Sequence, residues 1–240
     1  MLTKTYFRPD DLETNDSAPL QDIYSSISEK VGETEYPCVG AKAALNSKQL
    51  RIGVYDRMAT DETTRQLGND LKQYIAETLA TESEYMTMVA FFKEEEPTDE
   101  LAFENKLWAQ LQRLHDSDDS PAPWDPEVSS NPTDTNFSFS YNGTAFFVVG
   151  LHPNASRKAR ALGYTAMAFN LHRQFEQLRD KGVYENMKKV IRDRDAAYDG
   201  SINPMLNDFG EGLEAPQYSG RQVMIAGSAL SWRVNYKDVT

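Results

Sequence analysis

"NFSFSYNGTAFFVVGLH", residues 136–152, decides the fold class. Aromatic and small polar residues alternate through NFSFSY, the period of a strand with one buried face. Asn142-Gly143 supplies the positive φ angles of a tight hairpin turn, and TAFFVVGLH answers as a more deeply buried strand that Pro153 stops. A sheet with antiparallel pairing is therefore expected. Working outward, residues 116–135 are rich in Pro, Ser and Asp and read as the longest loop, with Trp124 as its anchor to the body. Upstream, LQDIYSSISEKV (20–31) has helical spacing, QLRIGVYD (49–56) reads as a strand, and 60–81 reads as an amphipathic helix capped by Thr60 or Asp61. EYMTMVAFFK (84–93) returns as a strand and 98–116 as a helix. Downstream, TAMAFN (165–170) is a further strand, and two helices follow, separated by Gly182. From 200 onward Gly, Pro and Asn abound without a period; Leu213 and Tyr218, with Met205, Leu206 and Phe209, predict a long irregular segment packed on the body. The expectation is α+β: one domain over residues 1–240, with a mixed β-sheet and flanking helices.

The chain carries 25 basic and 37 acidic residues, a net charge of −12. Such a surface repels phosphate backbones, which argues against nucleic acid as a partner. No apolar run is long enough for a bilayer and the N-terminus has no apolar signal core, so no membrane partner and a cytoplasmic location are expected. The single cysteine, Cys38, excludes an internal disulfide and any paired-cysteine zinc pattern. Serine-hydrolase, glycine-rich phosphate-loop and dinucleotide fingerprints are absent.

Cys38 sits in YPCVGAKAALNS (36–47), where a proline-fixed approach and then good helix formers place it beside a helix N-terminus. It can serve as a buried small hydrophobe, a reactive thiol or a metal ligand; a helix N-terminus favours the thiolate. The C-x-G-x-x-x-A spacing is similar to that around the proximal cysteine of haem-thiolate monooxygenases. His152 ends a strand beside Ser156, Arg157 and Arg160, a turn suited to a carboxylate or phosphate, and the histidine can ligate a metal or act as an acid/base. His172 and Glu176 share a helix face at i, i+4, a spacing that serves a metal pair or a simple ion pair. His115 reads as a surface or C-terminal capping residue. In the C-terminal segment Asp195, Asp208 and Glu214 are candidates for holding a cation, and Arg221 for an anion.

Five blocks in order, YPCVGAKAA, FFVVGLHPNASRKAR, FNLHRQFEQLR, IRDRDAAYDGSINPML and EAPQYSGRQ, closely resemble the YqcI/YcgG family from about residue 20 to 225. That family includes haem-dependent N-hydroxylases acting on guanidine groups. The resemblance implies haem b, held without covalent attachment, dioxygen, a small guanidine-containing substrate, and an external redox partner, a ferredoxin or reductase. It nominates Cys38 with Gly40 and Lys42, His152 with Arg157, and Asn203, Glu214 and Arg221 as motif positions. The resemblance by itself assigns no roles; taken with the chemistry of the residues, the expected roles are haem binding for Cys38, Gly40, Lys42, His152, Arg157 and Arg221, with Cys38 as axial ligand and His152 as the alternative. Substrate binding falls to Glu214, Asp195, Asp208 and Asn203, and catalysis to His152 and Glu214. A haem-binding sensor without turnover, and a non-haem iron oxygenase built on His152, His172 and Glu176, are the competing readings. Oligomeric state stays open, a homodimer included.

Overall fold

The computed structural model describes residues 4–81, 83–122, 124–204 and 210–222. Its centre is a six-stranded mixed sheet in the order β1-β2-β3-β6-β5-β4. Strands β2 (Leu50–Tyr55) and β3 (Thr87–Phe92) are buried at every position, so their residues are almost all apolar, and the one charge, Arg51 of β2, is paired with Glu77. They pair in parallel, joined by α4 (Asp61–Thr81), as parallel strands require a crossover. All other pairings are antiparallel: β1 (Tyr6–Phe7) on β2, β6 (Thr165–Leu171) on β3, β5 (Thr144–Leu151) on β6, and β4 (Phe139–Tyr141) on β5. The expected α+β fold with a mixed sheet and flanking helices is what the chain adopts.

The β4–β5 hairpin turns through Asn142 (φ 52°) and Gly143 (φ 69°), the two positive angles that an Asn-Gly turn supplies. Helix α4 is capped as read: the Thr63 amide donates to Thr60 Oγ1 at 3.2 Å. One face of the sheet packs against α4 and α5 (Glu100–Ser117), with Leu67, Leu71, Phe103, Leu107 and Trp108 in that core. The other receives α2 (Ala18–Gly32) through Leu20, Ile23, Ile27 and Val31. On that second side α3 (Val39–Asn46), α6 (His172–Asp180) and α7 (Tyr184–Asp199) surround a cavity.

Several details depart from the sequence reading. The first strand of the hairpin is shorter than NFSFSY, because Phe137 pairs instead with Ser129 of the preceding loop. Trp124 anchors that loop as expected, its ring edge-on to His115 (5.5 Å) and Phe139 (6.2 Å). His115 stands in the last turn of α5, where a C-terminal capping residue is one of its two readings, but it is buried against Trp124, which corrects the surface alternative. The C-terminal segment is less irregular than predicted: α8 (Ala215–Ser219) buries Tyr218 between Trp108 and Phe137. Met205, Leu206, Asp208 and Phe209 lie outside the described residues. Among the described residues no helix is long and apolar enough to cross a membrane.

Candidate functional site

The alternation of β5 sorts its side chains between two environments. Phe147, Val149 and Leu151 face the cavity, whereas Phe146 and Val148 belong to the core under α5. The cavity has a volume of about 320 Å³, within the range of small-molecule sites. Val89, Val149, Leu151 and Ala168 form its sheet wall, and Met187 and Ile191 of α7 close the opposite side. Asp195 is the one fully buried residue of α7, and most of the others are half-buried, so this helix covers the cavity from the solvent side.

Cys38 is placed at the cavity by the start of α3. It is the N-cap residue, with extended backbone, and its Sγ accepts from the Ala41 amide at 3.4 Å. A sulfur held by helix-terminal N–H groups is poised to carry negative charge. In the protein alone, burial pushes the Cys38 thiol up, and the amides of Ala41 and Gly40 with the nearby Arg160 charge offset only part of that. Gly40 contributes an open flank: a Cβ there would meet only Sγ, 4.0 Å away.

Glu214 reaches the same cavity from the other end of the chain. It is 4% exposed, and its Oε1 accepts from both Ser138 Oγ and Tyr218 OH at 2.6 Å. Burial pushes its carboxyl up to about 7, against the pull of those two hydroxyls and of Arg179. The cavity therefore holds a desolvated acid at the edge of ionisation beside apolar walls.

Other predicted residues have partners that fix their roles. Asp195 lines the cavity, but its Oδ2 already receives Arg157 Nη2 at 2.9 Å and the Asn203 amide at 2.7 Å. Arg157 also donates to the Ser201 carbonyl at 2.6 Å. Arg160, buried at the cavity wall, donates to the carbonyls of Gly150, Gln217 and Tyr218, tying β5 to α8. His172 lines the cavity with its Nε2 3.3 Å from Glu176 Oε1, while Arg179 holds the same glutamate oxygen. The i, i+4 spacing thus sets the imidazole against the carboxylate, while burial pushes the His172 pKa down and favours its neutral form.

Three nominated residues lie elsewhere. Lys42 caps the chain end of α2 by donating to the carbonyls of Glu33 and Thr34. Arg221 is a bidentate partner of Glu104 on α5, at 2.7 and 2.8 Å. His152 points away from Cys38: its ring stacks on Phe103 of α5, centroids 4.3 Å apart, on the far side of the sheet from the cavity. It is 1% exposed, and neither ring nitrogen has a hydrogen-bond partner among the described residues. His152 is thereby separated from both Cys38 and His172, and no group of three or more His, Cys, Asp or Glu among the described residues is arranged to hold a metal ion. Asp208 lies outside the described residues.

Sequence reasoning passed over Ser138 and Tyr218, the two hydroxyls on Glu214. Ser138 carried no signal: the alternation of NFSFSY put it on the face opposite the aromatic residues, yet it is fully buried just ahead of β4.

An α+β chain with one sheet and a sulfur and a carboxyl in a common cavity defines the structural class, and the sequence comparisons specify it. The chain belongs to the YqcI/YcgG family, whose profile matches residues 27–229. It is 31% identical over 231 residues to the uncharacterized protein YqcI of Bacillus subtilis (strain 168), an alignment covering 90% of this chain and 89% of that one. No solved structure matches it significantly.

Proposed function

We propose that this protein is a haem-dependent monooxygenase that N-hydroxylates the guanidine group of a small amino acid or cyclic guanidine. It uses dioxygen and takes electrons from a separate ferredoxin or reductase in the cytoplasm. The observation that carries the reading is that one apolar cavity collects the Cys38 sulfur and the Glu214 carboxyl, residues far apart in sequence. The donor set suits haem in three respects: a sulfur at a helix N-terminus, the bare flank of Gly40 and apolar walls, while Arg157 and Arg160 at the cavity are already committed to Asp195 and to backbone carbonyls. Cys38 would be the iron ligand; Lys42, His152 and Arg221 drop out of the haem site because they lie away from the cavity. Bound haem supplies activation of dioxygen, a chemistry that a thiolate donor favours.

The protein's own groups supply recognition. A guanidinium ion is planar, permanently charged and matched to a carboxylate. Glu214 meets that need: desolvation raises its carboxyl to about 7 in the free protein, and an arriving cation favours its ionisation. The apolar walls exclude water, which strengthens that pairing. In the overall reaction one oxygen atom enters an N–H bond and the other leaves as water, with a pair of electrons and a pair of protons supplied from outside.

The test is turnover by haem-loaded protein with an alkylguanidine, dioxygen and a reducing system, read by mass spectrometry. The reading expects the N-hydroxylated product, lost in Cys38→Ser and in Glu214→Gln. Haem-loaded protein that binds the guanidine but forms no product would favour a sensor or carrier instead.

A further inference from the structure

Glu214 is held by an asymmetric arrangement. Both Ser138 Oγ and Tyr218 OH lie 2.6 Å from the same oxygen, Oε1, and Oε2 has no hydrogen bond among the described residues. Each hydroxyl also has a second acceptor, the Phe146 carbonyl, at 3.5 Å from Ser138 and 3.1 Å from Tyr218. Tyr218 in turn accepts from the Phe139 amide at 2.9 Å and is stacked on Trp108, with ring centroids 5.7 Å apart. A hydroxyl has one proton to donate. When Glu214 is ionised, both protons can point at Oε1; when it is neutral, either can turn to the Phe146 carbonyl, and no buried hydroxyl is left without an acceptor.

We propose that Ser138 and Tyr218 are positioning residues for Glu214: they fix Oε1 so that Oε2 alone is presented to a cationic ligand, and the Phe146 carbonyl lets the carboxyl gain or lose its proton without orphaning a donor. The proposal rests on the reading of Glu214 as the cation-binding group. The charged and titratable groups sharing the cavity are Arg179 and His172 of α6, Tyr184, Lys188, Arg192 and Asp195 of α7, Arg157 and Arg160 after β5, Tyr36 and Cys38 ahead of α3, and Glu84 and Tyr85 ahead of β3. Arg179 is the one whose charge pulls on Glu214.

The experiment uses the full chain in two measurements. Infrared titration, taken as each protein minus its Glu214→Gln counterpart, follows the carboxyl C=O band and needs no ligand. Calorimetric titration with methylguanidinium across pH reads binding. Tyr218→Phe and Ser138→Ala each remove one donor to the charged form, so each should move the infrared midpoint toward higher pH by about one unit, the size of a hydrogen bond to a charged group. Ser138→Ala leaves the Phe139 amide partnered and keeps the test open should Tyr218→Phe fold poorly. Ser138→Thr retains a hydroxyl and should restore the wild-type midpoint. Methylguanidinium binding should shift its pH dependence in step. Midpoints unchanged in both hydroxyl-deleted proteins overturn the positioning role. A shifted midpoint without methylguanidinium binding to any variant upholds the positioning network and overturns the guanidine reading.

Discussion

Glu214→Gln should make the protein more stable while abolishing its proposed ligand binding. Glutamine keeps the shape, and its carbonyl oxygen can still accept from Ser138 and Tyr218, but the ionisation disappears. The wild-type carboxyl is raised from 4.5 to about 7 because burial disfavours its charge. The native state thus holds this proton more tightly than the unfolded chain does. Glu214 contributes fully below about pH 4.5; that contribution is lost as pH rises through about 7 and is flat above it. At about 1.4 kcal/mol per pH unit, the loss is about 3 kcal/mol. Urea unfolding of both proteins at about pH 4.5 and about pH 8 isolates the effect, since other buried acids such as Asp70 are common to both. The glutamine variant should gain about 3 kcal/mol on the wild type between the two conditions. A stability difference that does not change with pH would refute the placement of an unpaired, desolvated carboxyl in the cavity.

Other substitutions probe the surroundings. Gly40→Ala should melt at or slightly above the wild-type temperature, because the added methyl meets only Cys38 Sγ at 4.0 Å, yet weaken haem uptake by crowding the flank of the sulfur; haem titration reads this. Gly150→Ala should cost about 1–3 kcal/mol in urea unfolding, since its Cβ would lie 2.5 Å from the Phe103 ring and 2.9 Å from the Tyr218 carbonyl. Asp195→Ala should cost about 2–3 kcal/mol, less than a fully orphaned buried charge, because Asp199 Oδ2 stays 3.6 Å from Arg157. Methylguanidinium affinity should survive Asp195→Ala, as measured by calorimetry, if Glu214 is the cation site.

The legible parts of the fold were those set by local pattern. Asn142-Gly143 specifies its turn by φ alone, the largely apolar residues of β2 and β3 reflect burial on both faces, and Pro37 followed by Cys38 and small residues specifies the start of α3. β1 is only two residues long and is stabilised by pairing with β2, so no period could announce it. α8 is a single short turn of helix whose order comes from Tyr218 docking in the core. At the site, residue type drew attention to Cys38 as the lone thiol, whereas Glu214 was one of three acids offered for a cation and only the resemblance made it a motif position; it takes the fold to bring the two to one cavity. His152 misled for a geometric reason. Its even position along β5 sends the ring to the α5 side, while Val149 and Leu151 go to the cavity, and only the sheet's orientation in the whole fold says which face is which. Arg221 likewise looked available for an anion, and Lys42 stood only as a motif position beside Cys38, until the tertiary structure supplied their carboxylate and carbonyl partners.

The central claim, that Cys38 holds haem iron in this cavity, is tested most directly by the absorption spectrum of the reduced carbon monoxide complex of haem-loaded wild type and Cys38→Ser. Thiolate ligation gives a strongly red-shifted Soret band in the wild type, and the account predicts that this band is absent from the serine variant. A globin-like band in the wild type that Cys38→Ser leaves unaltered, or protein that takes up no haem at all, would contradict it.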